Sequence, residues 1–553
     1  MKISSLPQIY RNSTRMLDVG TVLGKYGLAN WLSRVDLRFG QDLFKSADGE
    51  ILTRYSPAER IRLALTELGP TFIKLGQVLS TRPDLVGIEL ADELQHLQQD
   101  TPADSPKTVR ATIEEELGQP VDELFAEFDD QPMASASIGQ VHRARLPDGQ
   151  QVVIKVQHAG IQQKVRVDLD ILAGLADLAE NIPEFKNYRP RATVAEFQRT
   201  LLRELDFGRE ERHMQEFAHN FADDPRVRIP RTYPDLTTGR VLTMECLEGI
   251  KLSERAQLTD SNCDLVETAR RGAELYIEMI FTHGFYHADP HPGNLIVLDG
   301  NVIGLLDYGM VGRIDDQLRE DIEEMLLAIV ERDSQSLTSV ITRIGQVPAG
   351  MDHGALSVEI TDFVSHYATQ RIDEFNLSAA LNEMTEIIRR FQIMLPAQIA
   401  LLLKVLVMLE GTSRQLSPKF NLIEVIKPYQ KKMIWRRLSP ARQIRKFRRV
   451  YRELELLADV LPRGLIEIIE QIQSGKFDVH LDHRGLEPSV NRLVLGMLAS
   501  ALFLGSSLLL SHQVPPVIRN VSVLGAVGCT VSLGLGLRLL RAINKSGHLD
   551  RRR

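Results

Sequence analysis

The sequence predicts an α+β protein that begins with helices, continues with short antiparallel strands and ends with two apolar helices. Apolar residues recur at helical spacing between residues 56 and 130, as in ERIRLALTELGPTFIKLGQVLS. Two runs rich in β-branched residues, 138–146 and 151–157, flank the turn sequence PDGQ and predict a hairpin. Two uncharged stretches of eighteen residues, 493–510 and 520–537, lie near the end of the chain. The middle of the chain is therefore expected to form a mixed domain, and its end a helical pair.

A second hairpin is expected between residues 294 and 309. The runs NLIVLDG and NVIGLLDYG are joined by Asp299-Gly300, a pair that favours tight turns. Beyond this hairpin the apolar spacing is helical, so only helices are expected there.

Composition sets the class of protein. A chain of 553 residues is long enough for several domains. Its three cysteines are scattered, without a CxxC pair, which argues against a thiolate zinc site and favours a reducing compartment. The first sixteen residues lack the apolar core of a secretory signal, so the main domain is expected to stay in the cytoplasm.

The two apolar stretches predict a transmembrane hairpin within 491–541. Eighteen helical residues span about 27 Å, close to the thickness of a bilayer core. Arg492 precedes the first stretch, and Arg538 and Arg541 follow the second, so the positive-inside rule places both outer ends in the cytoplasm. The expected location is thus the inner (cytoplasmic) membrane. The alternative is a buried core hairpin of a soluble domain.

Small residues lie close to one face of the second stretch: Gly525, Gly528, Ser532 and Gly536. They would allow close helix packing, either within the hairpin or between two protomers of a homodimer.

The segment 427–490 predicts a basic amphipathic helical linker. Eleven Lys or Arg and no acidic residue lie between Lys427 and Arg452, which leaves −18 for a chain whose net charge is −7. Aromatic and aliphatic residues such as Trp435 interrupt the basic run, a pattern typical of helices that bind anionic lipid headgroups. A solvated charged face is the alternative. A nucleic-acid partner is not expected, given the acidic remainder.

The motifs HADPHPGN and LLDYG point to phosphoryl-transfer chemistry. Such chemistry needs oxygen ligands for magnesium and a carboxylate near the attacking hydroxyl or water. Asp289, Asn294 and Asp307 supply these groups, with spacings of five and thirteen residues across the second hairpin. The order and spacing match the catalytic loop and the Asp-aromatic-Gly turn of protein kinases. The alternative is that these Asp and Asn residues only cap turns, in which case their order and spacing would match the kinase motifs by chance.

A lysine and two glutamates complete the predicted site. Lys155 follows three β-branched residues on a predicted strand, as in the kinase element that holds the α/β-phosphates; the alternative is a lysine on an edge strand that extends into solvent. Glu204 and Glu210 lie downstream in LLRELDFGREERH. On one helix they would differ by about 120° in direction and about 9 Å in height. Two basic partners are therefore expected.

The glycine-rich kinase loop is missing from its usual place before the lysine strand. Small residues stand there instead: Ala134, Ser135, Ala136, Ser137 and Gly139. They would still let the backbone approach a phosphate, with less conformational freedom than glycines allow.

With TFIKLGQVLSTRPDL (71–85), these motifs resemble those of the UbiB family of atypical kinase-like proteins, also called AarF or ADCK-type, over about residues 50 to 420. The resemblance implies a KxGQ motif at Lys74, Gly76 and Gln77, on an extension that covers the nucleotide site. It further implies contacts of Lys74 with Glu204, beside Asp206, and of Lys155 with Glu210. The alanine-rich loop is implied to alter nucleotide preference.

The resemblance implies a two-lobed protein-kinase-like fold with an N-terminal helical extension. The expected domains are an extension (1–125), an N-lobe (126–248), a C-lobe (249–426), the basic linker (427–490) and the hairpin (491–541). Departures from ordinary kinases are Ala288 in place of the catalytic-loop arginine, Tyr308 in place of Phe, and no APE-type segment.

The implied function is that of a membrane-anchored ATPase that binds ATP and Mg²⁺ and supports ubiquinone synthesis. Asp289, Lys155 and Glu210 are the expected catalytic residues, and Asn294 and Asp307 the metal ligands. Implied partners are anionic lipid and either hydrophobic quinone precursors or quinone-biosynthesis enzymes. The alternatives are a true kinase for a small-molecule or protein acceptor and a nucleotide-gated membrane scaffold. The sequence leaves the acceptor, the quinone and ATP-versus-ADP preference open.

Overall fold

A computed structural model describes residues 6–28, 55–97, 101–180, 189–261, 263–348, 350–368, 370, 375–437, 486–518 and 521–545. The chain divides into two compact units, Met1–Ser439 and Pro440–Arg553. The central part of the basic linker, 438–485, lies outside the described residues, so the lipid-binding prediction for it stays a prediction.

The amino-terminal extension of the first unit is helical, as predicted. Its helices are α1 (Leu6–Lys25), α2 (Pro57–Leu68), α3 (Pro70–Ser80), α4 (Pro83–Val86), α5 (Ile88–Gln95), α6 (Pro106–Leu117) and α7 (Val121–Leu124). A capping box starts α2: Ser56 Oγ accepts from the backbone N–H of Glu59, whose carboxylate accepts from the backbone N–H of Ser56. Gly69, at φ 94°, lets α3 follow at once.

The next segment folds into a five-stranded antiparallel sheet with helices beside it. Its elements are β1 (Glu127–Phe128), β2 (Ala134–Ser135), β3 (Gly139–Arg145), β4 (Gln151–Gln157), α8 (Ile161–Ala179), α9 (Pro190–Glu204), α10 (Phe207–Asn220), β5 (Val227–Arg228) and β6 (Val241–Glu245). The strand order is β1-β3-β4-β6, with β2 also paired to β3. The predicted hairpin is confirmed, with Gly139 opposite Gln157 and Arg145 opposite Gln151. Alternate residues of β4 bury Val152, Ile154 and Val156 against α6 and α7.

The last segment of the first unit begins with a second set of strands and is then helical. Its elements are β7 (Ile250–Lys251), α11 (Arg255–Asp260), α12 (Leu265–Glu278), β8 (Phe285–His287), β9 (Leu295–Leu298), β10 (Val302–Leu305), β11 (Val311–Arg313), α13 (Asp316–Glu331), α14 (Ser334–Ile344), α15 (His353–Ala368), α16 (Leu377–Arg390), α17 (Ala397–Leu416) and α18 (Leu422–Arg437). The second predicted hairpin is confirmed as β9 and β10, inside the sheet β5-β10-β9-β7.

Two predictions for the first unit were wrong. The expectation of helices only beyond the second hairpin fails, because β11 pairs with β8 and holds the segment after LLDYG against the strand that leads into HADPHPGN. The single helix assumed for Glu204 and Glu210 is two helices. α9 ends at Glu204, and Asp206 caps α10 by accepting a hydrogen bond from the backbone N–H of Gly208.

The second unit contains the predicted helical hairpin. Its elements are α19 (Leu486–Ser511), β12 (Val517–Ile518), β13 (Val521–Ser522) and α20 (Val523–Lys545). Leu493–Ser511 and Val523–Arg541 are long and apolar enough to cross a membrane. The second span starts later than the predicted residue 520, because Val521 and Ser522 pair with β12.

Small residues bring the two apolar helices together. A Cβ at Gly525 or Gly528 would collide with Ser506 of α19, and Ser532 Oγ donates to the carbonyl of Ala499 at 2.8 Å. Gly536 has open space around it. Of the two packing modes predicted for this face, the one within the hairpin is therefore observed.

Candidate functional site

Lys155 lies on β4, a central strand that pairs with β3 and β6. Its Nζ donates to the two carboxylate oxygens of Glu210 at 2.9 and 2.8 Å, and to Oδ1 of Asp307 at 3.3 Å. The ammonium also lies 5.1 Å from the ring centroid of Phe207. Three elements distant in sequence thus meet at one partly buried cation.

Charges at this meeting point shift the acidities of all three groups. Lys155 holds the pKa of Asp307 well below its usual range, although partial desolvation of this half-exposed side chain opposes the effect. Burial lowers the pKa of Lys155, but Asp307 and Glu210 outweigh burial and raise it. Burial also raises the pKa of Glu210 to about 7, against the lowering effect of Lys155. The exposed Asp307 side chain is thus kept as a carboxylate, the form that binds metal.

The Asp-Tyr-Gly turn points Asp307 toward the lysine. Asp307 adopts a left-handed φ of 52°, and its Oδ1 also accepts a hydrogen bond from the backbone N–H of Gly309. Tyr308 is fully buried, and its backbone N–H donates to Glu210 Oε1 at 3.1 Å. Glu210 therefore holds both the lysine and the turn that carries Asp307.

Asp289 and Asn294 form the other side of the site. The chain leaves β8, passes Asp289, makes a single 3₁₀ turn at Pro292–Asn294 and enters β9. The side-chain Nδ2 of Asn294 donates to Asp289 Oδ2 at 2.7 Å. The backbone carbonyl of Asn294 accepts a hydrogen bond from the backbone N–H of Leu306 at 2.9 Å. Because these two bonds use Nδ2 and the backbone oxygen, the side-chain Oδ1 of Asn294 is available for a ligand.

His287 was missed as a functional residue, although it opens the HADPHPGN motif. The ring is fully buried. Its Nδ1 accepts a hydrogen bond from the backbone N–H of Asp289 at 3.2 Å, and its Nε2 donates to the carbonyl of Asp307 at 2.9 Å. This network requires a proton on Nε2. A histidine two residues before Asp289, the predicted catalytic carboxylate, was the available sequence signal.

The KxGQ helix lies beside the same turn. Lys74, on α3, is buried and forms an ion pair with Glu204. A Cβ added at Gly309 would be 3.9 Å from Cγ of Glu204, so the pair adjoins the turn. Lys74 also helps to lower the pKa of Asp307, after Lys155 and against burial. The two predicted contacts, Lys74 with Glu204 and Lys155 with Glu210, are both present.

The glycine of the KxGQ motif serves packing. A Cβ at Gly76 would collide with Leu97 and lie 3.0 Å from Leu65 Cδ1. Gln77, one residue on, is partly buried. The backbone carbonyl oxygen of Gln77 accepts a hydrogen bond from the hydroxyl of Ser80 at 2.7 Å.

The alanine-rich segment is only partly a turn. Ala134 and Ser135 pair with β3 as strand β2, and Ala136 begins the turn itself. Ser137 is fully buried. A Cβ at Gly139 would collide with the Val156 carbonyl of β4, so strand pairing requires this glycine.

Asp206 contacts residues of α10. Besides capping α10, it accepts from Arg212 at 3.3 Å. Its predicted contact with nucleotide stays a prediction, as do the direct nucleotide contacts of the alanine-rich segment.

The donor set fits a magnesium ion that arrives with a nucleotide. Among the residues that the structure describes, no cluster of three His, Cys, Asp or Glu side chains could hold a metal ion alone. Asp307 and Asn294 offer a carboxylate and an amide oxygen. Magnesium is usually bound by one or two carboxylates together with substrate phosphates and water. These residues therefore fit a nucleotide-dependent magnesium site.

Comparisons with known proteins cover most of the chain. The family model described as the ABC1 atypical kinase-like domain matches residues 96–341, the UbiB helical domain matches 360–421, and the ABC1/UbiB kinase-like C-terminal domain matches 480–545.

Relatives in bacteria are similar over most of their length. A protein of Azotobacter vinelandii named probable protein kinase UbiB is 34% identical over 469 residues, 84% of this chain and 85% of that protein. A protein from the hydrogenase 1 5' region of Clostridium pasteurianum is 32% identical over 503 residues, 89% of this chain and 94% of that protein. The solved structure of Rv3197 with erythromycin, from Mycobacterium tuberculosis, is 25% identical, covers 64% of this chain and 90% of its own, and has a TM-score of 0.43.

Proposed function

Because the chain belongs to the ABC1/UbiB family of atypical kinase-like proteins, we propose that it is a membrane-anchored ATPase that binds Mg-ATP and supports isoprenoid quinone (ubiquinone) synthesis. One observation carries the nucleotide part of this proposal. Lys155, on a central strand, contacts both Glu210 and Asp307, the arrangement that kinases use to hold phosphates and metal. The UbiB name of the relatives supports the quinone part.

Each residue has a role that its contacts support. Lys155, fixed by Glu210, orients the α- and β-phosphates. Asp307 and Asn294 hold magnesium, which neutralises phosphate charge when bound. Asp289, fixed by its hydrogen bond from Asn294, accepts the proton of the attacking water or hydroxyl.

We propose water as the acceptor, on the premise, implied by the family resemblance, that the extension covers the site. In this proposal the buried pair of Lys74 and Glu204, beside the Asp307 turn, occupies space that a protein substrate would need. The covered site favours hydrolysis or a small acceptor.

The membrane part of the proposal rests on the hairpin. Most large apolar side chains of α19 and α20 are exposed, including Leu498, Leu504 and Leu533 at 59 to 65%. Such surfaces are stable in lipid rather than in water. The positive-inside rule places the first unit on the cytoplasmic side of the inner membrane, next to anionic lipid and to hydrophobic quinone precursors or the enzymes that process them.

The nucleotide proposal is tested with the full chain in vesicles. Phosphate release from γ-labelled ATP is measured with and without Mg²⁺ for the wild type, Asp307→Asn and Asp289→Asn. Asp170→Asn, an exposed residue on α8, is the matched control. We expect turnover to be lost in both site variants and unchanged in the control. Undiminished turnover in Asp307→Asn contradicts the assigned site, and label transferred to a protein contradicts the proposed acceptor.

The pathway proposal needs a separate measurement. Lipid extracts are compared between a deletion strain, the same strain with the wild-type gene, and the same strain with Asp307→Asn. We expect the wild type alone to restore isoprenoid quinone. Equal quinone in all three strains would reject the pathway and leave the nucleotide chemistry intact.

A further inference from the structure

A cavity of about 700 Å³ lies in the first unit, behind the catalytic loop. His291 and Pro292 of that loop line it, together with α17 and the helices α3 to α5 of the extension. Lys155, Asp307 and Glu210 are not among its lining residues. The cavity therefore adjoins the proposed phosphate site without including these residues: the two share a loop, and the Asp289 carboxylate of that site acts on Lys404 of the cavity.

One face of α17 forms a long wall of the cavity. Its lining residues on this helix recur three or four positions apart: Leu403, Lys404, Val407, Met408, Gly411, Thr412, Gln415 and Leu416. A Cβ added at Gly411 would have no heavy atom within 4 Å, so this position opens onto free space. Glycine inside a helix costs about 1 kcal/mol relative to alanine. The open volume at Gly411 is therefore present at the expense of helix stability.

Lys404 brings an unpaired ammonium group into this wall. Its Nζ donates to the hydroxyl of Ser80 at 3.1 Å, and it has no ion-pair partner within the described ranges. Burial lowers the pKa of Lys404, against the raising effect of the Asp289 carboxylate. A partly desolvated cation next to open volume favours an anionic ligand.

Other charges in the cavity do not cancel this preference. In the described lining, Asp92 is the one carboxylate, and Arg255 is a permanent cation in addition to Lys404. Burial raises the pKa of Asp92, since its charged form is partly desolvated. Within the lining, the cationic side chains therefore outnumber the anionic one, while Asp289, outside the lining, offsets part of the charge of Lys404.

Apolar residues face the cavity from two sides. Leu403, Val407 and Met408 lie on α17, while Ile88 and Ala91 lie on α5. Ligand cavities usually have about 300–1,000 Å³ and combine apolar walls with a few polar groups. The size and lining of this cavity are within that range.

We propose that this cavity binds a small amphipathic acid, with its anionic group against Lys404 and its apolar body between α5 and α17. The site goes beyond nucleotide turnover and needs no nucleotide to be occupied. Lys404 also links it to the extension, because Ser80, which accepts from Lys404, donates in turn to the carbonyl of Gln77. An acid bound at Lys404 competes with Ser80 for the ammonium.

The test measures direct binding of three isosteric probes to the full chain in nanodiscs, without nucleotide. The probes are 2-naphthoate, neutral 2-naphthamide and cationic 2-naphthylmethylamine, titrated by calorimetry against empty nanodiscs as background. Four proteins are compared: the wild type, Lys404→Met, Gly411→Leu and Lys107→Met, in which an exposed lysine on α6 is the matched control. Thermal unfolding confirms that each variant is folded.

We expect the wild type and Lys107→Met to bind 2-naphthoate. Lys404→Met should weaken the binding of 2-naphthoate roughly tenfold or more, because one charge-assisted contact is lost. The binding of 2-naphthamide should stay unchanged. Gly411→Leu, which fills the open volume, should abolish binding of both. The proposal is overturned if the wild type binds no probe, if it prefers the amide or the amine, or if Gly411→Leu binds like the wild type.

Discussion

The Nε2 atom of His287 lies 2.9 Å from the carbonyl oxygen of Asp307, and the Nδ1 atom of the same ring accepts the backbone N–H of Asp289. One buried imidazole therefore fixes the distance between the proposed catalytic carboxylate and the proposed metal ligand. Because these bonds go to the backbone, the ring positions the two loops. The ring is also fully buried, so it does not reach a substrate.

His287→Phe should keep an aromatic ring but lose all hydrogen bonds of the imidazole, including those to Asp289 and Asp307 and a further one to the Leu306 carbonyl at 3.1 Å. We expect the free energy of unfolding to fall by about 1–3 kcal/mol, since buried backbone groups lose their partners. ATP turnover should fall roughly tenfold or more, with a higher Mg²⁺ requirement, because Asp289 and Asp307 are less well fixed. Tyr276→Phe, which removes only a hydroxyl 3.3 Å from Nδ1, is the control. An unchanged Mg²⁺ dependence in His287→Phe would argue against the positioning role.

Gly76→Ala should destabilise the extension. Its new methyl group would collide with the buried Leu97, and overpacking of this kind costs about 1–3 kcal/mol. Gly411→Ala is the matched control, because it is also inside a helix but meets no atom within 4 Å. It should stabilise the protein by about 0.5–1 kcal/mol. Thermal unfolding of both variants checks this, and shifts in the same direction would refute the packing explanation.

Arg82 and Asp84 join the extension to the C-lobe. They form a buried bidentate ion pair, and Arg82 also donates to the Leu395 carbonyl at 3.0 Å. Arg82→Met should cost about 3–5 kcal/mol, because Asp84 is left as an uncompensated buried charge. Arg82→Met combined with Asp84→Leu should recover much of this loss. Chemical denaturation measures both, and a double variant as unstable as the single one would contradict the prediction.

Gly528→Leu should separate the two apolar helices. A side chain at this position would run into Ser506 on α19, whereas Gly534, on the same helix, has no atom within 4 Å of an added Cβ. Amide hydrogen exchange of α20 in nanodiscs should become faster for Gly528→Leu and stay unchanged for Gly534→Leu. Equal exchange in the two variants would show that the glycine contact does not hold the hairpin together.

The sequence alone determined the elements with strong local signals. The three consecutive β-branched residues before Lys155 in QVVIKVQ specified strand β4, because such residues favour strands. The spacing of Asp289, Asn294 and Asp307 around a turn sequence specified a loop and hairpin. Two uncharged stretches specified the apolar helices, since length and composition suffice for that prediction.

Tertiary structure decided what depends on contacts between distant segments. The helix expected to carry Glu204 and Glu210 breaks at Asp206, where the side chain caps the next helix, and this break places the two glutamates on separate elements. Strand β11 forms because β8 offers a partner, although its own three residues carry no strong signal. The roles of His287 and Lys404 come from atoms far away in the chain. Local propensity predicts an element, but only packing shows which elements meet and what space they leave between them.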